Sequence, residues 1–259
     1  MKTLSILTLT VLLFSACQSE PTAPKPTVDV VIPKERLLQL NNSNITLPQT
    51  SSQLIFVTTE GWNSKEGKLQ RYERLSSADP KWVKVGDPIS IILGRNGLGW
   101  GKGLHTTPKY AKYLKKEGDG RAPAGLFRLG TGFGYNPYQI DFPYAVYRRT
   151  DHCVDDSQSQ WYNKIVDSTK VKKDYKSFEH MRLKNHLYRY GITVDHNPEQ
   201  IANGGSCIFM HIRSGNGKGT AGCTAMDETN LMTILKWLKK EGEPLLLQLP
   251  KQEVDNRVL

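Results

Sequence analysis

Two residues of this chain have the types and the spacing for covalent acyl transfer. Cys223 sits in Gly219-Thr220-Ala221-Gly222-Cys223-Thr224-Ala225-Met226, a run of small residues that reads as a tight turn leading into a helix near Asp227. A thiol at such a place is expected to have a lowered pKa and to lie beside backbone N–H groups that can hold a developing oxyanion. His211 lies twelve positions earlier, at the end of the strand-like run Cys207-Ile208-Phe209-Met210. Strand, loop and turn can bring the imidazole to the thiol, the pairing that nucleophilic acyl transfer uses. The plain alternative is a packed histidine and a buried, inert thiol.

The elements that must position this pair read mainly as strands. From Gln53 onward, Leu54 to Thr59, Leu69 to Leu75 and Trp82 to Leu93 have β character, and Leu245 to Leu249 reads as a closing strand. Helical periodicity is seen at Ser159–Val166, at Ser177–Tyr190 and most clearly at Asp227–Glu241. The last has Asp227 at the N-cap, a stripe of Leu231, Ile234, Leu235 and Leu238, basic Lys239 and Lys240 near the end, and Gly242 as a stop. The expected class is therefore α+β and β-rich, a mixed β-sandwich or barrel with a few inserted helices. GRNGLGWGKG, residues 94–103, follows Ile89–Leu93. It lacks the spacing and the Lys-Ser/Thr ending of a phosphate-binding loop and is expected to be a loop with several positive-φ glycines.

Other polar and aromatic residues have plain explanations. His180 and His186 are six apart, a poor spacing for one helix face, so no metal site is expected. Glu179 and Asp155 read as structural hydrogen-bond partners, Trp161, Tyr162, Tyr188 and Tyr190 as core or groove walls, and His196 as the end of a strand.

Composition bounds the partners. Apolar residues make up 38% and charged residues 23% of 259 residues, which excludes collagen, coiled-coil and polytopic membrane architectures. A net charge of +10 points to anionic partners, cell-wall polymers among them. No clustered basic and aromatic recognition motif accompanies it, so no nucleic acid is expected. Met1-Lys2 and the apolar run Thr3–Phe14 form a signal peptide, too short for a bilayer span of about 20 residues. Phe14-Ser15-Ala16-Cys17 resembles the lipobox of bacterial lipoproteins, with Phe where Leu is usual. That resemblance implies cleavage after residue 16 and a lipid on Cys17, which would attach the exported chain to a membrane. Gln18 after the cysteine favours the periplasmic face of the outer membrane. Residues 17–50, rich in Pro, Asn, Ser and Thr, are expected to be a flexible tether, and 51–259 the working domain. Apart from Cys17, three cysteines remain. Cys153 and Cys207 either form a disulfide, which exported chains favour, or stay as two buried thiols; in the first case Cys223 is left free.

His211 followed by a Gly-rich stretch and Thr220-x-Gly222-Cys223 resembles the signature of YkuD-type L,D-transpeptidases. Three further blocks are similar to that family: Glu117 to Phe127, with its Gly118-Asp119-Gly120 and Pro123-x-Gly125; Gly205-Ser206-Cys207-Ile208-Phe209-Met210-His211; and Cys153-Val154-Asp155-Asp156 with Tyr162-Asn163. The blocks span about 115–226 in the expected order. The resemblance implies that Cys223 attacks an amide carbonyl of a peptidoglycan stem peptide to give a thioester, and that His211 moves the proton. It also implies that Gly222 and Cys223 line the oxyanion hole with Thr220 supporting the loop, that a backbone carbonyl orients His211, and that no cofactor is needed. Ala221 and Ala225 stand where the family often has His and Arg. The lost Arg bears on the choice of substrate and acceptor more than on the thiol chemistry. Alternatives are a hydrolase of the same bonds, acting as L,D-carboxypeptidase or endopeptidase, and a non-catalytic wall-binding lipoprotein.

Overall fold

The computed structural model describes the backbone of residues 37–38 and the whole of residues 45–75, 81–215 and 217–254. The expected signal peptide, Cys17 and most of the expected tether lie outside these residues. The strands are β1 (Leu37–Leu38), β2 (Gln53–Thr59), β3 (Glu66–Glu73), β4 (Trp82–Ile92), β5 (Leu98–Trp100), β6 (Ala122–Gly134), β7 (Tyr144–Val146), β8 (Asp151–Val154), β9 (Ile165–Asp167), β10 (Phe178–His180), β11 (Tyr190–Val194), β12 (Phe209–Ile212) and β13 (Thr224–Met226). Helix α1 (Glu228–Trp237), β14 (Leu245–Pro250) and short 3-10 turns at Lys240–Gly242 and Lys251–Glu253 complete the described elements.

Eight strands close on themselves in the order β4-β13-β12-β11-β6-β14-β2-β3, with β3 pairing back to β4. Closure leaves no open sheet edge in that ring. The domain is therefore α+β and β-rich, a mixed barrel, as its short apolar runs predict. The hydrophobic core, which packs both faces of the sheet, includes Leu54, Leu69, Leu126, Met210, Met226 and Leu247, and α1 adds Leu231, Ile234, Leu235 and Leu238. β14 is buried at all six positions because it lies between β2 and β6. A bulge between Leu69 and Arg71 bends β3 against β4, and the Gln70 side-chain amide donates to the carbonyls of Val85 and Gly86 there.

The packed fold begins before Ser51, within the stretch assigned to the tether. Ile45 is buried in the core, and the Arg74 guanidinium donates to the carbonyls of Pro48, Gln49 and Ser51. Among the described residues no helix is long and apolar enough to cross a membrane.

Two expected helices are absent. Ser159–Val166 is a series of turns ending in β9, and Ser177–Tyr190 holds β10 followed by turns. Long-range bonds replace the helical ladder there: Met181 N–H donates to the Asp151 carbonyl, Leu183 N–H to the Tyr135 hydroxyl and Asn163 N–H to the Val154 carbonyl. Asn163, at φ +58°, also stops any right-handed helix. The expected helix at 227–241 forms but ends at Trp237. Gln53 takes over its C-terminus, its amide N–H donating to the Trp237 carbonyl and its amide oxygen accepting the Lys239 N–H. The Asp227 side chain does not cap the helix N-terminus; it pairs with Arg213 at 2.7 Å.

Residues 94–103 also differ from expectation, since they contain β5 and only Gly97 among their glycines has positive φ, +81°. A Cβ on Gly97 would lie 2.0 Å from the Trp62 carbonyl oxygen, and one on Gly94 2.5 Å from that of Gly120. Close backbone approach, more than unusual φ, is what this run of glycines provides.

Candidate functional site

Strands β12 and β13 run parallel with Met210 opposite Thr224 and His211 opposite Ala225, so Phe209 falls opposite Cys223. Alternation sends Ile208, Met210 and Ile212 into the barrel core and Phe209 and His211 to the outer face, which Cys223 shares. His211 and Cys223 are therefore diagonal neighbours on one face. The sulfur is held from both sides by one strip of chain: Phe209 N–H donates to Cys223 Sγ at 3.3 Å, and the thiol donates to the Cys207 carbonyl at 3.6 Å.

His211 Nδ1 lies 2.8 Å from the Ile212 carbonyl oxygen, which can only accept, so Nδ1 carries the hydrogen and Nε2 has the lone pair. That tautomer suits a proton acceptor. Burial holds the His211 pKa below its ordinary value, partly offset by this carbonyl. Tyr188 leans edge-on against His211 at 5.2 Å and Phe209 at 5.6 Å between ring centres, and its hydroxyl donates to Glu179 at 2.7 Å. Burial raises the Glu179 carboxyl pKa, the Tyr188 hydrogen bond opposes this, and Asp155 and Glu117 raise it further.

The thiol environment differs from the sequence expectation. Cys223 is 5% exposed, packed among Phe133, Met181, Tyr188, Cys207 and Phe209. Burial pushes its pKa up, the Glu179 charge adds to this, and the Phe209 N–H works against it. The expected lowering fails because β13 intervenes between Cys223 and α1, so no helix N-terminus faces the sulfur. Thr220 Oγ1 donates to the Cys223 carbonyl at 2.6 Å and accepts the Gly222 N–H at 3.1 Å. Thr220 thus braces the turn, and Gly222 can serve an oxyanion only if that hydroxyl releases its N–H.

The four sequence blocks meet beside this turn. Cys153 and Cys207 are joined in a disulfide, which ties β8 to the strip that holds the thiol and leaves Cys223 free. Asn163 Oδ1 accepts the Cys207 N–H at 2.9 Å, while its amide donates to the carbonyls of His196 and Asn197. Glu117 Oε2 accepts from Tyr162 at 2.5 Å and Ser206 at 2.7 Å, and the Tyr162 hydroxyl in turn accepts the Gly205 N–H. No family model, curated protein or solved structure matches the chain. The site is therefore read from its own chemistry.

Some residues fall elsewhere. His180 pairs across strands with His152, away from His186, and the described residues contain no cluster of potential metal ligands. Asp155 accepts from the Ser177 hydroxyl. Glu117, Ser206 and Arg121 stood out only as members of motifs. Their partners lie far away along the chain, Asn63 for Arg121 and Tyr162 for Glu117, which no local pattern encodes.

His196 lies just beyond β11, and its ring sets a pH dependence of stability. Nδ1 accepts the Lys102 N–H at 3.2 Å and Nε2 donates to the Gly204 carbonyl at 3.0 Å, so a second proton would break the Lys102 bond. Burial, with the Lys115 charge, lowers its pKa to about 4. A depressed pKa gives stability that is present above the unfolded value of about 6.5 and is lost as pH falls toward 4. Denaturant titrations should show about 3 kcal/mol lost over that window, and His196→Gln should remove most of the slope.

Proposed function

We propose that the chain is a cysteine-dependent acyltransferase acting on peptidoglycan stem peptides, of the L,D-transpeptidase kind. The observation that carries this is one strip, Cys207 to His211, holding the Cys223 sulfur between a backbone N–H and a carbonyl while presenting an imidazole with its Nε2 lone pair on the same face. Cys223 attacks the amide carbonyl of the stem as its proton passes to His211 Nε2. The tetrahedral oxyanion collapses to a thioester, and His211 returns the proton to the leaving amine. A second amine, deprotonated by His211, attacks the thioester and frees the thiol. If water enters instead, the same residues hydrolyse the bond, giving an L,D-carboxypeptidase or endopeptidase. No cofactor takes part in either route. Export and a lipid on Cys17 would place the domain at the outer membrane, facing the wall, and its positive charge suits a polymer rich in carboxylates.

A wall-binding domain with an inert thiol has one observation in its favour, the depth of Cys223 and the upward push on its pKa. The purified chain should therefore be incubated with muropeptides carrying tetrapeptide stems and the products read by mass. Cross-linked dimers or exchanged terminal D-amino acids are the expected result; shortened stems alone would assign the hydrolase. Unchanged stems, together with iodoacetamide labelling of Cys223 no faster than a model thiol, would sink the enzymatic proposal in favour of the wall-binding domain.

A further inference from the structure

The glycine-rich segment, which the thiol chemistry does not use, builds a second concave feature. Gly97 lets Leu98 N–H donate to the Trp62 carbonyl at 2.7 Å, and this close approach sets Trp62 and Trp100 5.7 Å apart between ring centres. Tyr113 joins them 5.6 Å from Trp62. Arg121 locks the group: its guanidinium donates to the carbonyls of Trp62 and Leu98 and to the Asn63 side chain, and lies 4.5 Å over the Tyr113 ring. Trp62, Trp100 and Tyr113, with Tyr110, Lys112 and Glu253, line a cavity of about 400 Å3, within the range of small-ligand sites.

Three features define its occupant. Tyr110, 66% exposed, forms an aromatic lip whose hydroxyl donates to Glu253 at 3.0 Å. Trp100 is 2% exposed and held between β6 and Leu114, so its ring gives the cavity a rigid aromatic floor. Both edges of β5 are already paired, to β6 and to Leu114, so an added peptide strand finds no partner there. Flat rings with amide, carboxylate and ammonium groups at the rim match a pyranose, whose C–H face packs on aromatics while its hydroxyl and acetamido groups bond at the edges.

We propose that this cavity binds an amino-sugar residue of a glycan strand. Arg121 connects it to the reacting centre, since a Cβ on Gly222 would lie 3.0 Å from the Arg121 carbonyl oxygen. One residue thus packs against the nucleophile's turn and holds the aromatic walls. This inference rests on the peptidoglycan proposal for its view of the polymer, in which stem and glycan are covalently joined, but the binding itself needs no working thiol.

The test is titration of 15N-labelled full chain carrying Cys223→Ala with soluble N-acetylglucosamine oligomers, following the tryptophan indole N–H signals. The Trp100 signal, assigned through Trp100→Phe, should shift saturably, and Tyr110→Ala should weaken binding at least tenfold with its far-UV circular dichroism unchanged. No saturable shift at millimolar oligomer, or a shift that Tyr110→Ala leaves intact, overturns the proposal. Displacement of the same signal by a free stem peptide but not by sugar assigns the cavity to peptide and also overturns it. Sugar binding in a chain without turnover on stems refutes the acyl-transfer proposal alone; turnover without sugar binding refutes this one alone.

Discussion

Cys223→Ala should abolish turnover of tetrapeptide stems, and His211→Gln should lower it about 10³-fold, within the usual range for a general base. The two losses have different causes. The alanine removes the atom that forms the thioester, whereas glutamine keeps the size and polarity of the side chain but cannot carry a proton between steps. His211 matters more here than in a site with a preformed thiolate, because burial and Glu179 keep Cys223 in its thiol form at neutral pH. The proton must leave during attack, and Nε2 is the group whose tautomer can receive it. The acid limb of kcat/KM should accordingly lie below the ordinary histidine value of about 6.5, because burial depresses His211. An acid limb well above that value would show that another group takes the proton. If His211→Gln retained most of the activity while Cys223→Ala had none, the imidazole would be a packing residue.

The site and its surroundings were unequally legible in the sequence. The barrel strands were readable because runs such as Leu54-Ile55-Phe56-Val57 and Leu245-Leu246-Leu247 bury both faces and have the β-rich or continuous apolar character this demands. Cys223 and His211 were read as a motif, and the parallel register of β12 and β13 puts both residues on one face of the sheet. Ser159–Val166 and Ser177–Tyr190, between β7 and β11, were misread as helical. Their apolar spacing comes from Trp161, Val166, Met181 and Tyr188 packing in two small clusters outside the barrel core, with backbone groups satisfied by distant partners. The thiol pKa was misjudged for a related reason: the short strand β13 between turn and helix leaves no trace in periodicity, and the cover over Cys223 comes from residues 133 to 209.

Breaking the disulfide should affect both stability and the thiol. Cys153 and Cys207 are 54 positions apart, and a cross-link closing a loop of that length stabilises by about 4 kcal/mol in the chain-entropy account. Denaturant titration of Cys153→Ser with Cys207→Ser should show a loss of that order. The local effect is the sharper test. Cys207 has φ +54°, a left-handed conformation that non-glycine residues adopt rarely, maintained by its sulfur on Cys153 and its N–H on Asn163. Its carbonyl accepts from the Cys223 thiol, and Phe209, two residues on, donates to that sulfur. Without the bridge, Cys207 can relax to the right-handed region, turning its carbonyl away from the thiol and loosening the strip that carries Phe209 and His211. Alkylation of Cys223 by iodoacetamide should then speed up severalfold as the cover opens, while turnover on stems falls by about 1.4 kcal/mol of barrier or more, a factor of ten. A purely structural bridge would lower the unfolding free energy and leave both rates unchanged in the folded fraction. Asn163→Ala gives a check with the bridge intact, since it frees the same Cys207 N–H. Its effects on alkylation and turnover should have the same sign and be smaller, because the sulfur still anchors the residue.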